Sequence, residues 1–287
     1  MKSPVIAVSA LCLATQALTA TEASWKDELV TPVANPILFE SPVIQSELRP
    51  LFFYHNLNDK FLIPGDVQVY ALQFRLALTE KLALIATKDG WVEINPKAGG
   101  NVDGWADIGA GLKYNLIDDA ENQFLLTPGF TFTFPTGDDE VFQGSDHGDG
   151  QFDFFVSAAK GFDQLQLMGN AGLILPLDSD RDATLLHYSV QLAHNTCQWF
   201  KPFVALNGYT GLRNGKTPGL GGLTSEGYDV INFGAGDVEG ETMLVLGAGF
   251  RTALGRAVEI GAAYEKDITT DDGIFDDRFT VDLIWKF

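Results

Sequence analysis

From about residue 44 to the last residue, apolar and polar side chains alternate with period two, and Gly, Asp and Asn interrupt the alternation repeatedly. A strand sends successive side chains to opposite faces, so this period predicts strands with one apolar and one polar face. Twelve are predicted: 44–56, 67–78, 82–92, 104–116, 123–135, 151–161, 165–176, 184–194, 200–211, 241–253, 257–267 and 276–287. In the second, Tyr70, Leu72, Phe74, Leu76 and Leu78 oppose Gln73 and Arg75. In the fifth, Phe124, Leu126, Phe130, Phe132 and Phe134 oppose Thr127, Gly129, Thr131 and Thr133.

Two segments precede the strands. Residues 24–43 carry Pro32, Pro36 and Pro42 and no clear period, so they are expected to be an extended periplasmic lead-in or a small plug. Residues 1–23 begin with a positive Lys2, continue with the apolar run Val5 to Ala14, and end in small residues. That order is a secretory signal peptide, with cleavage expected after Ala20 or Ala23. The apolar run is too short to cross a bilayer as a helix.

Alternation alone also fits a soluble sandwich. Three features favour a membrane barrel. The connections after even-numbered strands are short: Thr79–Lys81, Ile117–Asn122, Phe162–Gln164, Asn195–Trp199 and Leu254–Arg256. Those after odd-numbered strands are mostly long, as at 57–66, 93–103, 136–150, 177–183, 212–240 and 268–275. Long extracellular loops alternating with short periplasmic turns are the outer-membrane pattern. The chain also ends with Phe279, Val281, Leu283, Trp285 and Phe287 on one face, an arrangement expected to serve as the signal read by the barrel assembly machinery. Finally, threading the strands up and down places two aromatic girdles. Trp91, Trp105, Phe134, Tyr209 and Tyr264 fall near the extracellular ends, and Tyr114, Phe124, Trp199, Phe250 and Phe287 near the periplasmic ends. The predicted fold class is all-β: an antiparallel outer-membrane β-barrel of about 12 strands over 44–287, preceded by a cleaved signal peptide.

Composition changes this picture in two places. The formal net charge of -19 leaves no basic face for a phosphate backbone, so nucleic acid is excluded as a partner. Much of that charge falls in loops 136–150, 177–183 and 268–275, which predicts an acidic rim facing lipopolysaccharide. Two cysteines, one of them inside the signal peptide, exclude a disulfide-stapled secreted domain.

Two segments carry a family resemblance. Trp105–Tyr114 reads WADIGAGLKY and Phe134–Asp138 reads FPTGD. Together they resemble the outer-membrane barrel family named after a meta-pathway phenol-degradation protein, with Asp107, Lys113, Tyr114, Pro135, Thr136, Gly137 and Asp138 as the matching positions. Ala106 stands where that family usually has Gly. The resemblance implies an outer-membrane transporter passing small, hydrophobic or aromatic compounds. Taken alone, Pro135-Thr136-Gly137 is also ordinary chemistry for a strand end and turn.

The polar faces hold charges of both signs: Glu47, Arg49, Arg75, Asp107, Lys113, Asp153, Arg251, Glu259, Arg278 and Asp282. They are expected either to line a narrow pore or to fill it as an ion-pair network, since an isolated charge in a narrow lumen is costly. The first and last strands must pair to close a barrel, which predicts Glu47, Arg49, Arg278 and Asp282 at the seam. The D-x-D-x-D run at 178–182 lacks the Gly and Glu of a calcium loop, having Ala183 and Ser189 there, so no metal and no cofactor are expected.

The leading functional expectation is a channel or transporter acting by passive diffusion, with the Gly-rich loop 212–240 as a constriction or lid and no catalysis. A membrane-embedded lipid acyl hydrolase is the second reading, because His187 and Ser189 lie two apart on one strand; the lipid face there belongs to Leu186, Tyr188, Val190 and Leu192, which turns both inward. A closed structural or surface-binding barrel is the third. The expected location is the outer membrane of a Gram-negative-type bacterium, with membrane lipid, lipopolysaccharide, the assembly machinery and a small solute as partners.

Overall fold

The computed structural model describes residues 24–57, 64–144, 148–216, 229, 235–269 and 275–287. The signal segment and most of loop 212–240 lie outside the described residues. Fifteen strand segments pair antiparallel in one sheet. They are β1 (Glu47–Leu57), β2 (Gly65–Ala77), β3 (Leu82–Lys88), β4 (Trp91–Pro96), β5 (Val102–Trp105), β6 (Ile108–Tyr114), β7 (Ile117–Asp119), β8 (Phe124–Phe134), β9 (Gln151–Phe162), β10 (Leu165–Pro176), β11 (Thr184–His194), β12 (Lys201–Arg213), β13 (Thr242–Ala253), β14 (Val258–Asp267) and β15 (Phe275–Lys286). Because β1 pairs with both β2 and β15, the sheet closes into a barrel of 12 wall strands.

The third and fourth wall strands are each interrupted. Asp89-Gly90 separates β3 from β4, and Ala106-Asp107 separates β5 from β6. The cause is local: the Asp89 carboxylate accepts the Leu72 N–H at 2.9 Å, where the ladder would otherwise supply a carbonyl. Gly90 sits at φ +120, and its carbonyl accepts the Ala106 N–H at 2.8 Å. Side-chain period does not reveal such a break, which is why both stretches read as continuous strands.

The outer wall is apolar. Tyr70, Leu72, Phe154, Val156, Leu167, Leu192, Leu246 and Trp285 are all exposed. Water would penalise such a continuous face, whereas bilayer hydrocarbon matches it. The terminal alternation follows the same rule, with Phe279, Leu283, Trp285 and Phe287 outward. In the girdles, Trp105, Phe134, Tyr264, Tyr114, Trp199, Phe250 and Phe287 are exposed, but Tyr209 is not. It is 1% exposed and faces inward, in phase with Phe203, Ala205 and Asn207. Gly208 takes the outward position, and the neighbouring Tyr188 ring covers it so closely that a Cβ there would lie 2.2 Å from Tyr188 Cε2.

Five small apolar clusters replace a single core. Each draws on the segment that precedes β1: Ile37 in two of them, one shared with Leu38, and then Val30 with Val33 and Ala34, Leu29 with Phe39, and Ile44.

Candidate functional site

The interior of the barrel is occupied by residues 29–43. The chain enters at the end that carries the short turns, where Lys26 Nζ lies 2.7 Å from Asp118 Oδ2 and the Glu28 carbonyl accepts from Gln166 Nε2 at 2.9 Å. It rises to an apex at 35–39, where Asn35 adopts φ 48 and its carbonyl accepts the Phe39 N–H at 2.9 Å. Asn tolerates this left-handed conformation better than most residues, which lets the chain reverse. It then descends to join β1 at the same end.

This segment contains no regular secondary structure, so its backbone polar groups need partners from the wall. Pro32, Pro36 and Pro42 have no N–H, which reduces the number of donors to satisfy. Wall side chains donate to the carbonyls in sequence: Gln191 to Val30 at 2.7 Å, Arg251 to Thr31 at 3.0 Å, Arg49 to Pro32 at 2.6 Å, Gln73 to Pro36 at 2.7 Å, Ser157 to Glu40 at 2.7 Å and Thr127 to Pro42 at 2.7 Å. In return, the Val30 N–H donates to Gln166 and the Asn35 N–H to Glu265.

One acidic side chain of the segment enters the lumen. Glu40 accepts from Arg75 Nη2 at 2.6 Å and from Lys113 Nζ at 2.7 Å. Burial alone would raise its pKa, but the Arg75 and Lys113 charges outweigh that and hold the carboxyl down at about 2. The proline pattern drew attention to this segment, yet Glu40 was not among the expected site residues. As the sole carboxylate between Leu29 and Val43, it was the available signal.

The closure seam gathers most of the charge. Asp282 lies between two guanidiniums, accepting from Arg49 Nε at 2.7 Å and from Arg251 Nη1 and Nη2 at 2.9 Å each. Arg278 holds Glu265 through Nε at 2.8 Å and Nη2 at 3.0 Å, and also bonds Asp229. Arg75 Nη1 is 3.2 Å from Glu47, and Lys286 reaches Glu259 at 2.8 Å. Paired geometry of this kind is what a buried charge requires.

The opposite wall is polar but mostly uncharged. Thr127, Ser157, Asn170, Ser189 and Asn207 occupy one register row across β8–β12. Asn170 donates to Ser157 at 2.9 Å, and Asn35 of the apex donates to Ser189 at 3.3 Å. Of these five, the alternation along the chain already turns Thr127 and Ser189 inward; Ser157, Asn170 and Asn207 were not singled out from sequence.

All ten charged residues read from the polar faces are buried in the interior, and nine of them project from regular strand positions. Asp107 is the exception, because it sits in the β5/β6 break. Its Oδ1 accepts from the Gly137 and Gly144 N–H groups, both at 2.9 Å. Asp138 makes the reciprocal clip: its Oδ2 accepts the Trp105 N–H at 2.7 Å, and Thr136 Oγ1 accepts from Ile108 at 3.2 Å. Gly137 is required there, since a Cβ would fall 2.6 Å from the Trp105 carbonyl oxygen. The two motif segments therefore bind each other across the break, which goes beyond turn chemistry. Lys113, from the same motif, holds Glu40, while Tyr114 faces outward.

His187 and Ser189 both face the lumen and not the lipid. His187 Nε2 is 2.9 Å from Asp153 Oδ1, and Ser189 accepts from Asn35. The pair is thus engaged with separate partners.

No protein-family model and no curated protein matches the chain. Among solved structures it is similar to the NanC porin, with a TM-score of 0.55 at 7% identity, covering 84% of this chain and 100% of that one. It is likewise similar to an outer membrane channel from Pseudomonas putida F1, with a TM-score of 0.55 at 16% identity, covering 90% of this chain and 100% of that one. At such low identities the likeness is one of fold. The chain has the closed antiparallel architecture of the outer-membrane β-barrels.

Proposed function

We propose that this protein is an outer-membrane channel for small solutes in a Gram-negative-type bacterium, working by passive diffusion, with residues 29–43 as an internal plug. The observation that carries this reading is what fills the lumen. A barrel packed by its own side chains has no room for a chain segment. Here the wall leaves space for a folded-back loop, and polar side chains from both halves of the wall reach its backbone between the apolar clusters. If the loop moves, most seam charges keep partners within the wall, and the neutral groups opposite can take water at small cost. The short turns and the entry of the plug would then face the periplasm.

The polar lining favours polar solutes over the hydrophobic or aromatic ones that the family resemblance implies. The barrel assembly machinery, outer-membrane lipid and lipopolysaccharide are the proposed partners, through the terminal strand, the apolar wall and the acidic rim. No catalytic role is assigned, because the His187 and Ser189 side chains are turned away from lipid.

Planar-bilayer conductance of the refolded chain against a variant lacking 29–43 tests the proposal. Residues 28 and 44 lie at the same end of the barrel, so the deletion leaves the wall intact. Rare or small steps are expected from the full chain and frequent, larger steps from the deletion. A deletion variant that is folded by heat-modified gel mobility but never conducts would overturn it.

A further inference from the structure

Lys113 differs from the seam arginines in where its partners sit. Arg49 and Arg251 share Asp282, and Arg278 holds Glu265, so each of these cations is matched by a carboxylate of the wall itself. Lys113 Nζ instead donates to Glu40 Oε1 at 2.7 Å and to the Ser41 carbonyl at 2.8 Å, and both partners belong to residues 29–43. Lys113 is 1% exposed, and among the described residues no wall carboxylate lies within ion-pair distance of it. Arg75 leans the same way. Its Nε and Nη2 donate to Glu40 at 3.0 and 2.6 Å, whereas Nη1, 3.2 Å from Glu47, is buried without a hydrogen bond. A buried cation needs an anionic partner, and for this pair only the plug brings one fully to bear.

The seat that the two cations form has a definite shape. Glu40 lies side-on to the Arg75 fork: Oε1 bridges Arg75 Nε and Lys113 Nζ, and Oε2 accepts from Nη2. A planar, two-oxygen anion fits such a fork. The wall beside it is small and apolar. Arg75 is paired with Ile85 and Lys113 with Ala83, and these two pack with Phe155. Gly129, paired with Lys113, leaves room for that ring, since a Cβ there would come 2.5 Å from Phe155 Cζ. A short hydrocarbon stem therefore suits the surroundings. A second negative charge does not, because the buried Glu47 carboxylate stands on the far side of Arg75. One carboxylate on a short apolar stem is the chemistry of the Glu40 side chain itself.

We propose that Arg75 and Lys113 form a lumenal binding site for a small solute bearing a single carboxylate, and that Glu40 occupies it as a tethered stand-in while the plug is seated. Such a solute and Glu40 exclude each other. A ligand that binds only the plug-out state multiplies the population of that state by 1 + [L]/Kd, so the solute holds the plug out for as long as it occupies the seat. The proposal rests on the reading of 29–43 as a displaceable plug, yet binding at the seat does not require that anything is conducted.

Propionate, the Glu40 side chain as a free anion, is the probe. Calorimetric titration of the refolded full-length Glu40→Ala variant, whose seat is vacant, should show saturable propionate binding at least about tenfold tighter than that of the wild type, where Glu40 competes. Propionamide, which lacks the charge, and succinate and inorganic phosphate, which carry a second one, should bind about tenfold more weakly or not at all. Adding Lys113→Met to Glu40→Ala should raise the propionate Kd by about tenfold or more with unchanged heat-modified gel mobility. In the wild type, propionate at about nine times the Kd found for Glu40→Ala should speed amide hydrogen exchange within 29–43 by about tenfold, and propionamide should not. This last measurement serves if the Lys113 variant does not fold. The proposal is overturned if folded Glu40→Ala shows no saturable propionate binding, if the wild type or the folded Lys113 variant binds propionate as tightly as Glu40→Ala does, if any control binds as tightly, or if propionate leaves exchange in the wild type unchanged. Conductance enters none of these outcomes, so a barrel that never conducts would overturn the channel reading alone.

Discussion

The two halves of the lumen wall hold the same segment by different means. The seam half, β13–β15 with β1 and β2, grips it with Arg49, Arg251 and Arg75, and these guanidiniums are themselves tied to Asp282, Glu47 and Glu40. The opposite half, β8–β11, uses Thr127, Ser157, Gln166 and Gln191. The difference lies in what each half would do without the plug. A buried guanidinium cannot be left alone, so the seam has its own carboxylates and stays paired. A hydroxyl or carboxamide loses little by exchanging a protein carbonyl for water. Most of the plug contacts are thus reversible, and Glu40 is the one point where the segment itself completes an ion-pair network.

Three substitutions separate the halves, in falling order of effect. Asp282→Asn leaves Arg49 and Arg251 without their shared carboxylate and should cost about 3–5 kcal/mol of stability in urea unfolding of the refolded barrel; an unchanged midpoint would show that the seam network is not what secures closure. Glu40→Gln removes the plug's only lumenal charge while the seam ion pairs persist. It should cost about 1.5–3 kcal/mol and increase the frequency of conductance steps. The same bond should respond to acid. The Glu40 pKa is depressed from 4.5 to about 2, so its contribution is complete above about 4.5 and is lost as pH falls toward 2. Conductance recorded across that interval should rise in the wild type and stay flat in Glu40→Gln. Ser157→Ala, on the neutral half, removes a single hydroxyl donor to the Glu40 carbonyl and should cost only about 1 kcal/mol; a loss matching that of Asp282→Asn would erase the distinction between the halves.

The strands were legible because lipid outside and polar groups inside impose a strict period of two along almost the whole chain. The charged lining was legible for the same reason: Arg251 or Asp282 on an otherwise apolar-alternating strand has to face inward. The neutral row was harder to see, since Ser157 or Asn170 on a strand face looks like any polar residue until its register is known. The two strand breaks were hidden as well, because Asp89 and Asp138 cap backbone N–H groups across the sheet, and neither contact leaves a periodic trace.

By itself, then, the order of side chains determined that the chain builds a membrane-compatible barrel, which charged residues face inward, and that 24–43 stands apart from the strands. Only the tertiary structure decided where residues 29–43 go and what holds them there. The reason is physical: strand period depends on solvent on either side of the sheet and is written locally. The seat of an irregular segment depends on carbonyls finding donors such as Gln191, Arg49 and Thr127, which are distant in sequence and meet only once the barrel has closed.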